Sequence, residues 1–193
     1  MEHKEIGKTE NQKSYHHGDL RNALIEAGIK MVHEEGEAQL SLRKVAKVCG
    51  VSNAAPYAHF AGKEEMILAM QEHVNESFMK RLTETVEKYK DDTEGALVAM
   101  GRDYVRFFIE FPYYFSFLFS QPCMKVNLSI ADNGDENYPP YELMKTLLTR
   151  WNGQKEIKLG VDELEIQIVR MWVTVHGLAS IATMKHVTWN REW

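Results

Sequence analysis

The sequence predicts an all-α protein with an N-terminal helix-turn-helix domain and a larger helical C-terminal domain. Apolar residues recur at steps of three and four through most of the chain, which is the period of amphipathic helices. Two short helical patterns flank the turn Gly50-Val51-Ser52, and two helices joined so tightly must cross steeply. The last long stretch, from Val161 to Lys185, is apolar on nearly all sides after Gln167, which is typical of a helix buried on more than one face.

Composition excludes several classes of protein. The 193 residues are 44% hydrophobic and 26% charged, enough for one domain or two small ones. The chain has no run of about 18 uncharged apolar residues and no apolar stretch near its start, so we expect a cytoplasmic protein with no membrane partner. Cys49 and Cys123 have no Cys or His neighbours at ligand spacing, so neither a disulfide nor a metal site is expected, and no cofactor is implied.

Charge is distributed unevenly along the chain. The net charge is -5, but residues 1–63 carry nine Lys and Arg against eight Asp and Glu, while the remainder carries fourteen against twenty. A nearly neutral head on an acidic body is compatible with DNA contact through the head alone, because phosphate binding depends on where the cations lie.

The head contains three short predicted helices. The first begins at Asp19 and ends at Gly36, a residue type that commonly follows a helix. Ser41 can cap the second, although Lys44 stands where a capping box has Glu. Ser52 can cap a third, in which Pro56 falls in the first turn, where its missing N–H matters least.

The third helix of such a unit enters the DNA major groove. Small Ala54 and Ala55 would allow close approach and contact with thymine methyls, and Asn53 can offer a bidentate amide to adenine. Tyr57 and His59 suit phosphate oxygens, as does Lys63, whose ammonium and helix N-terminus could hold one phosphate together; Tyr57 and His59 could equally pack inward. Short helices around an Ala/Gly turn also occur in ordinary bundles.

The stretches YHHGDLRNALIEAG and LSLRKVAKVCGVSNAAPYAHFAGKEEMILAM together resemble the DNA-binding domain of the TetR family of bacterial transcriptional regulators, over about Tyr15 to Met70. The resemblance implies a homodimer of all-α subunits, each with a DNA-binding head and a C-terminal domain for dimerisation and effector binding. It divides the chain into a flexible tail (1–14), a helix-turn-helix domain (15–62) and a C-terminal domain (63–193). The DNA-binding residues that we expect are Ser41, Arg43, Ser52, Asn53, Ala54, Ala55, Pro56, Tyr57, His59 and Lys63.

The recognition segment offers few strong base readers. Ala54, Ala55 and Pro56 contribute mainly shape. Sequence preference would then depend on Asn53, on thymine methyls and on the deformability of the DNA.

The C-terminal domain is predicted as a series of longer helices. A linking helix should run from Lys63 to about Tyr89, and a second from Thr93 to a stop at Pro112. The aromatic stretch PYYFSFLFS and a polar loop from Gln121 to Asn137 follow. Helices resume over about 140–151 and 161–185. The last two long helices could form an intersubunit four-helix bundle, as an operator with two half-sites requires.

A candidate effector pocket follows from the aromatic residues of the body. Trp172, His176 and Gly177 form W-x-x-x-H-G, which resembles a C-terminal domain type of one TetR branch. His176 is a polar handle in the pocket on one interpretation and a core or interface histidine on the other, and the aromatic residues could be mere packing. The predicted effector-binding residues are Met100, Tyr104, Phe107, Phe108, Tyr114, Trp151, Trp172 and His176.

These observations predict a DNA-binding transcriptional regulator, a repressor released from a palindromic operator by a small, largely apolar or aromatic effector. Effector binding would repack the body, swing the helix that starts at Lys63 and separate the two recognition segments. The alternative is a DNA-bound adaptor of the same fold that recruits a protein partner. A ligand-sized pocket favours the first, and a filled core with an exposed patch favours the second. No motif supports catalysis; a dyad of His176 and Cys123 could be imagined, but nothing fixes their distance.

Overall fold

The structure is a computed structural model that describes residues 20–119, 126–130, 138–184 and 186–188. These residues form helices and connecting turns, with no β-strand among them, which confirms the all-α class. The α-helices are α1 (Leu20–Glu35), α2 (Leu42–Val48), α3 (Lys63–Lys88), α4 (Thr93–Glu110), α5 (Pro112–Phe119), α6 (Pro139–Gly153) and α7 (Val161–Ala182). Two 3-10 helices lie at Glu37–Gln39 and Ala55–Ala58. The predicted tail, Asp19, Cys123, Lys185 and most of the predicted loop lie outside the described residues.

The helix ends in the head form where the sequence predicts them. Gly36 and Gly50 follow α1 and α2 with φ of 85° and 68°, a region in which only glycine avoids a Cβ clash. The Ser41 Oγ accepts a hydrogen bond of 3.3 Å from the Lys44 backbone N–H and so caps α2.

The third helix is not the α-helix expected after Ser52. It is a 3-10 helix of four residues, Ala55–Ala58, whose N-cap is Ala54 rather than Ser52. Ser52 instead accepts a turn hydrogen bond of 3.0 Å from the Ala55 N–H through its backbone carbonyl. Phe60 turns into the core at 1% exposure and α3 starts at Lys63, so the segment ends after one short helical turn.

One hydrophobic core runs through head and body, and the 26-residue α3 contributes buried residues to both parts of it. Gly28 of α1 permits close packing on α3, since a Cβ there would come within 2.9 Å of Met66 and Met70 atoms. Farther along α3, the buried Phe78 ring lies 4.8 Å from the rings of both Phe107 and Phe108. A rotation of α3 therefore changes the packing of both parts of the chain.

The aromatic stretch after Pro112 is a helix of its own. Pro112 starts α5, where the missing N–H of proline costs no helical hydrogen bond. This helix packs against α1 and brings the body into contact with the head. Among the described residues, no helix is both long and apolar enough to cross a bilayer.

Candidate functional site

The turn between α2 and α3 presents its polar side chains to solvent. Ser52, Asn53 and Ala54 are exposed, and Tyr57 is 53% exposed. Ala55 and His59 are half-buried, and the His59 ring lies 6.2 Å from that of Phe60. These side chains follow one another on one short turn, as a surface that enters a groove requires.

Pro56 differs from its predicted role. Pro56 lies within the 3-10 helix and is buried, so its predicted place among the DNA-binding residues, where it would contribute shape, is corrected to a packing position. A proline ring without an N–H is well suited to the buried side of this turn because it leaves no unpaired donor.

One hydrogen bond ties Lys63, an expected phosphate-binding residue, to the segment that precedes α2. The Lys63 Nζ donates to the Glu37 carbonyl oxygen at 2.7 Å, which ties the start of α3 to the 3-10 helix that leads into α2. Ser41 is half-buried at the start of α2, and Arg43, two residues on, is exposed. Because an ammonium group carries three donors, Lys63 retains two N–H groups for a phosphate.

The N-terminus of α3 is less open to an anion than the sequence indicated. The Glu65 carboxylate accepts a hydrogen bond of 2.6 Å from the Ala61 N–H, and Glu64 adds a second negative charge in the first turn. Both negative charges repel a phosphate at the N-terminus of α3, so the Lys63 ammonium remains the principal phosphate-binding group at that helix end.

Sequence patterns gave no indication of Arg21 as part of this surface. Arg21 is the second residue of α1 and is exposed, and its guanidinium lies 5.6 Å from the centre of the Phe60 ring. Arg21 is 39 positions from Phe60 in the chain, so only the tertiary fold brings a cation beside the recognition turn.

A polar junction joins the head to the body. Glu26 of α1 lies beside His73 of α3, with 2.7 Å between the carboxylate Oε1 and the imidazole Nε2. The Tyr114 hydroxyl of α5 donates to the same Glu26 oxygen and lies 3.3 Å from His73 Nε2. Tyr114 was predicted to line an effector pocket; instead it connects α5 to α1.

The junction alters the acidity of its members. Burial alone would raise the pKa of Glu26, but hydrogen bonds from His73 and Tyr114 and the charge of His73 lower it below the ordinary value of 4.5. Burial and the adjacent Glu26 raise the pKa of Tyr114, which therefore stays a neutral donor. A second contact lies nearby, 2.5 Å between His33 Nδ1 of α1 and Ser116 Oγ of α5.

Part of the predicted effector set does assemble. The Tyr104 hydroxyl of α4 lies 3.1 Å from His176 Nδ1 of α7, and the Trp172 and His176 rings are 5.7 Å apart. His176 also packs at 4.4 Å against the Phe119 ring. Burial lowers the pKa of His176, so the imidazole is neutral at pH 7.

The remaining predicted effector residues either lie away from the group around His176 or are buried in the hydrophobic core. Phe107 and Phe108 are 2% and 0% exposed and pack on Phe78. The Trp151 indole N–H donates to Glu94 Oε2 at 3.2 Å, and the Lys155 ammonium lies over its ring at 4.4 Å. Trp151 therefore joins α6 to the start of α4 and is not part of the group around His176.

The cavity at the assembled residues is small. Met100, Tyr104 and Trp172 contribute to its wall, and its volume of about 30 Å³ matches one water molecule. A drug-sized ligand needs roughly 300 Å³ or more, so the structure has a closed, filled interior at this point.

A larger space lies on the surface between α4 and α7. This α4–α7 groove has a volume of about 470 Å³ and an apolar floor. Its lining residues are Leu97, Val98, Gly101, Arg102, Val105, Arg106, Arg170, Met171, Thr174, Val175 and Leu178.

Helix α7 exposes a row of apolar residues on the side away from the core. We call it the α7 outer face: Ile166, Val173, Gly177, Ile181 and Met184, the last just beyond the helix. The four side chains are 44–62% exposed, and a Cβ added at Gly177 would meet nothing within 4 Å. By contrast, the apolar face of α6 is used within the chain, where Tyr141, Met144, Leu147 and Leu148 are 1–6% exposed.

The part of the chain that the structure describes contains no group of three or more His, Cys, Asp or Glu residues placed to hold a metal ion. Cys49, the C-cap of α2, is half-buried, and its thiol contacts the Ala23 carbonyl oxygen at 3.5 Å.

Comparison with known proteins supports the assignment of the head. Residues 24–70 match the model of the "Bacterial regulatory proteins, tetR family". A nucleoid occlusion factor SlmA from Aliivibrio fischeri is 36% identical over 72 residues, which are 37% of this chain and 37% of that protein. The match thus spans little more than a third of that curated relative.

Solved structures resemble the chain over a much greater length. A TetR-family transcriptional regulator from Haemophilus influenzae shares 25% identity over 86% of both chains, with a TM-score of 0.59. A protein of unknown function from Rhodococcus sp. RHA1 has 22% identity and a TM-score of 0.67, over 92% of this chain and 91% of its own. The helix-turn-helix head thus matches the DNA-binding domain of the TetR family of bacterial regulatory proteins, and the chain as a whole is similar in fold to solved regulators of that family.

Proposed function

We propose that this protein is a transcriptional repressor that binds a palindromic operator as a homodimer and leaves it when a small, largely apolar or aromatic molecule binds the body. The observation that carries the proposal is the exposed turn around Asn53 and Tyr57, held beside Lys63 at the start of a helix that shares its core with the body. A DNA-contacting surface and a control element are thereby parts of one packed unit.

In this proposal, Asn53 and the two alanines beside it face base edges in the major groove. Tyr57, His59, Ser41, Arg43, Ser52 and Lys63 contact phosphates, and we add Arg21 to this set. The phosphate contacts position the head, and Asn53 contributes the base preference.

Dimerisation would place the α7 outer face of one subunit against that of another. A monomer rarely exposes a row of large apolar residues such as Ile166, Val173 and Ile181, and a two-fold axis makes one such face self-complementary. The open space at Gly177 permits close approach of a partner helix. The apolar face of α6 is buried within its own chain, so α7 would supply the principal dimer contact. An intersubunit four-helix bundle to which α6 and α7 contribute equally is therefore less well supported.

Control of DNA binding would pass through the junction of Glu26, His73 and Tyr114. An effector that repacks the interior around Tyr104 and His176 would displace α5, because Phe119 of α5 packs against His176. The displacement would reach the head, because Tyr114 of α5 is hydrogen-bonded to Glu26 of α1. The closed cavity then corresponds to the ligand-free, DNA-competent state, and the effector selects a state with a larger pocket.

The test is binding of the purified protein to DNA from just upstream of its own coding region, with stoichiometry, salt dependence and a panel of metabolites. We expect salt-sensitive binding of a dimer to a palindrome and release by at least one apolar or aromatic compound. The absence of any sequence preference would contradict the DNA-binding assignment itself.

A second candidate function is a DNA-bound adaptor that recruits a protein. It is favoured by the contrast between the closed interior cavity of about 30 Å³ and the open α4–α7 groove of about 470 Å³. The groove carries three arginines on an apolar floor and lies on an otherwise acidic body, so it suits an acidic amphipathic segment of a partner. Operator binding that no compound relieves, together with loss of partner capture in Arg102→Glu, would support this function over the first.

A further inference from the structure

One hydroxyl group in the described part of the body is buried and has no hydrogen-bond partner among the described residues. Tyr138 precedes α6 and is 6% exposed, and its hydroxyl oxygen makes no hydrogen bond with any described residue. A buried hydroxyl normally has a partner, because leaving it unpaired forfeits the hydrogen bonds that it makes in water. An unpaired buried hydroxyl is therefore a feature that folding alone does not explain.

The Tyr138 ring belongs to the same aromatic group as His176. The Phe119 ring lies 6.2 Å from Tyr138 on one side and 4.4 Å from His176 on the other. Burial and the adjacent Tyr104 raise the pKa of Tyr138, so its hydroxyl is a neutral donor. Tyr104 in turn is hydrogen-bonded to His176 at 3.1 Å and lines the small cavity with Trp172.

The described residues of this group include no side chain that is charged at pH 7. The rings that contact His176 belong to Phe115, Phe119 and Trp172, and the imidazole itself is neutral because burial lowers its pKa. The lining of the cavity beside Tyr104 likewise contains only apolar, aromatic and glycine residues. Among the described residues of this group, a ligand charge would find no counter-ion, and it would lose its hydration, which is strongly unfavourable.

We propose that the Tyr138 hydroxyl is the hydrogen-bonding anchor of the effector site, and that the effector is an uncharged aromatic or apolar compound with one hydroxyl, carbonyl or amide group. This inference rests on the proposed function, in that it identifies the ligand class of the same regulator. The polar group of the ligand pairs with Tyr138, next to the Tyr104–His176 pair, and the apolar part lies against Trp172. Because the existing cavity holds about one water, binding selects a state in which the half-buried Trp172 side chain has moved outward.

The experiment compares two probes of equal size on the full chain. Acetophenone is uncharged with one carbonyl acceptor, whereas benzoate carries a carboxylate on the same ring. Ligand-observed NMR titrations are made on the wild type, on Tyr138→Phe and on the control Tyr89→Phe, which removes a tyrosine hydroxyl at the end of α3. We expect acetophenone to bind at least tenfold more tightly than benzoate, and Tyr138→Phe to weaken acetophenone about 3- to 10-fold while Tyr89→Phe leaves it unchanged.

A second readout needs no ligand. Removing an unpaired buried hydroxyl relieves its desolvation, so Tyr138→Phe should have a higher Tm than the wild type. A merely structural tyrosine with a hydrogen-bond partner would show a lower Tm in the same variant. Operator binding by Tyr138→Phe serves as the control for folding.

Several outcomes would overturn the inference. These are benzoate binding as tightly as acetophenone, unchanged acetophenone affinity in Tyr138→Phe, a lowered Tm of that variant, or no binding of acetophenone to the wild type. If one of them occurs while the wild type still binds its operator and a metabolite releases it, the ligand class is wrong and the proposed function stands. If the wild type shows no operator preference, the proposed function fails independently of the probes.

Discussion

Glu26 of α1 and His73 of α3 are joined by a contact of 2.7 Å, and the carboxylate oxygen that makes it also accepts the hydroxyl proton of Tyr114 in α5. Three helices thus meet at one carboxylate, between the surface proposed to contact DNA and the helices proposed to sense an effector. A rearrangement of α5 changes the bonding of α1 directly. The first two predictions concern this junction.

Removing members of the junction should reveal energetic coupling between head and body. Tyr114→Phe removes the donor of the hydrogen bond between Tyr114 and Glu26, and Glu26→Gln removes the charge of its acceptor. In a double-mutant cycle of these two substitutions, we expect a coupling of about 0.5–1.5 kcal/mol in the free energy of unfolding. Urea unfolding of the two single variants and the double variant measures it. The pair Tyr89→Phe and Glu26→Gln serves as the control, for which the two effects should simply add.

The junction should also make stability depend on pH in acid. The pKa of Glu26 is lower in the folded chain than its ordinary value of 4.5, so the folded state favours the carboxylate. Its contribution is complete above pH 4.5 and is lost as the pH falls through the lowered pKa. Thermal unfolding from pH 6 to pH 3 should therefore show a smaller loss of Tm in Glu26→Gln than in the wild type; equal losses would contradict a depressed pKa for Glu26.

Lys63→Ala should weaken binding to all DNA sequences by a similar factor. Loss of one phosphate contact lowers the slope of log K against log salt by about one. The variant also loses the 2.7 Å bond to the Glu37 carbonyl, so its Tm should fall as well. Lys80→Ala, an exposed lysine on the same helix outside the head, is the matched control and should change neither quantity.

Asn53→Ala should relax base preference rather than weaken binding to all sequences. A bidentate amide contact with adenine discriminates by roughly 1–3 kcal/mol, so the loss should appear for operators that contain the adenine and not for those in which it is replaced. Titrations of the wild type and the variant against single-base operator substitutions test this. An equal loss on every operator would assign Asn53 to the phosphates instead.

Val173→Glu should convert the proposed dimer into a monomer. Val173 is 62% exposed at the centre of the α7 outer face, and a two-fold contact would bury two like charges against each other. Sedimentation velocity reports the mass, and we expect operator affinity to fall together with dimerisation. Ile157→Glu, at a position that is 91% exposed in the α6–α7 connection, should leave the mass unchanged.

Local chemistry explains where sequence-based prediction succeeded. Gly36 and Gly50 end helices because they adopt positive φ, and Ser41 caps α2 through its own side chain; these interactions lie within a few residues of chain. Helical periodicity likewise predicts α3, α4, α6 and α7 to within a few residues, because it depends on spacing alone. The predicted cap of the third helix was wrong, since the segment is a 3-10 helix with Ala54 rather than Ser52 at its N-cap.

Assignments of residues to a pocket were less successful, because an aromatic residue has the same spacing whether it packs, connects or lines a cavity. Tyr104, Trp172 and His176 do come together, whereas Tyr114 bonds to Glu26 and Trp151 to Glu94. Tyr138 was overlooked, because nothing in its neighbouring residues indicates that its hydroxyl is buried without a partner.

The sequence by itself determined the all-α class, the helix-turn-helix unit and the resemblance of that unit to the TetR family, because periodicity, capping residues and a dense local motif are properties of adjacent residues. Only the tertiary structure decided that Lys63 is tied to Glu37, that Tyr114 joins body to head, and that α7 rather than α6 exposes an apolar face. Each of these depends on contacts between residues that are distant in the chain, and such contacts are set by how the helices pack, not by the pattern within any one of them.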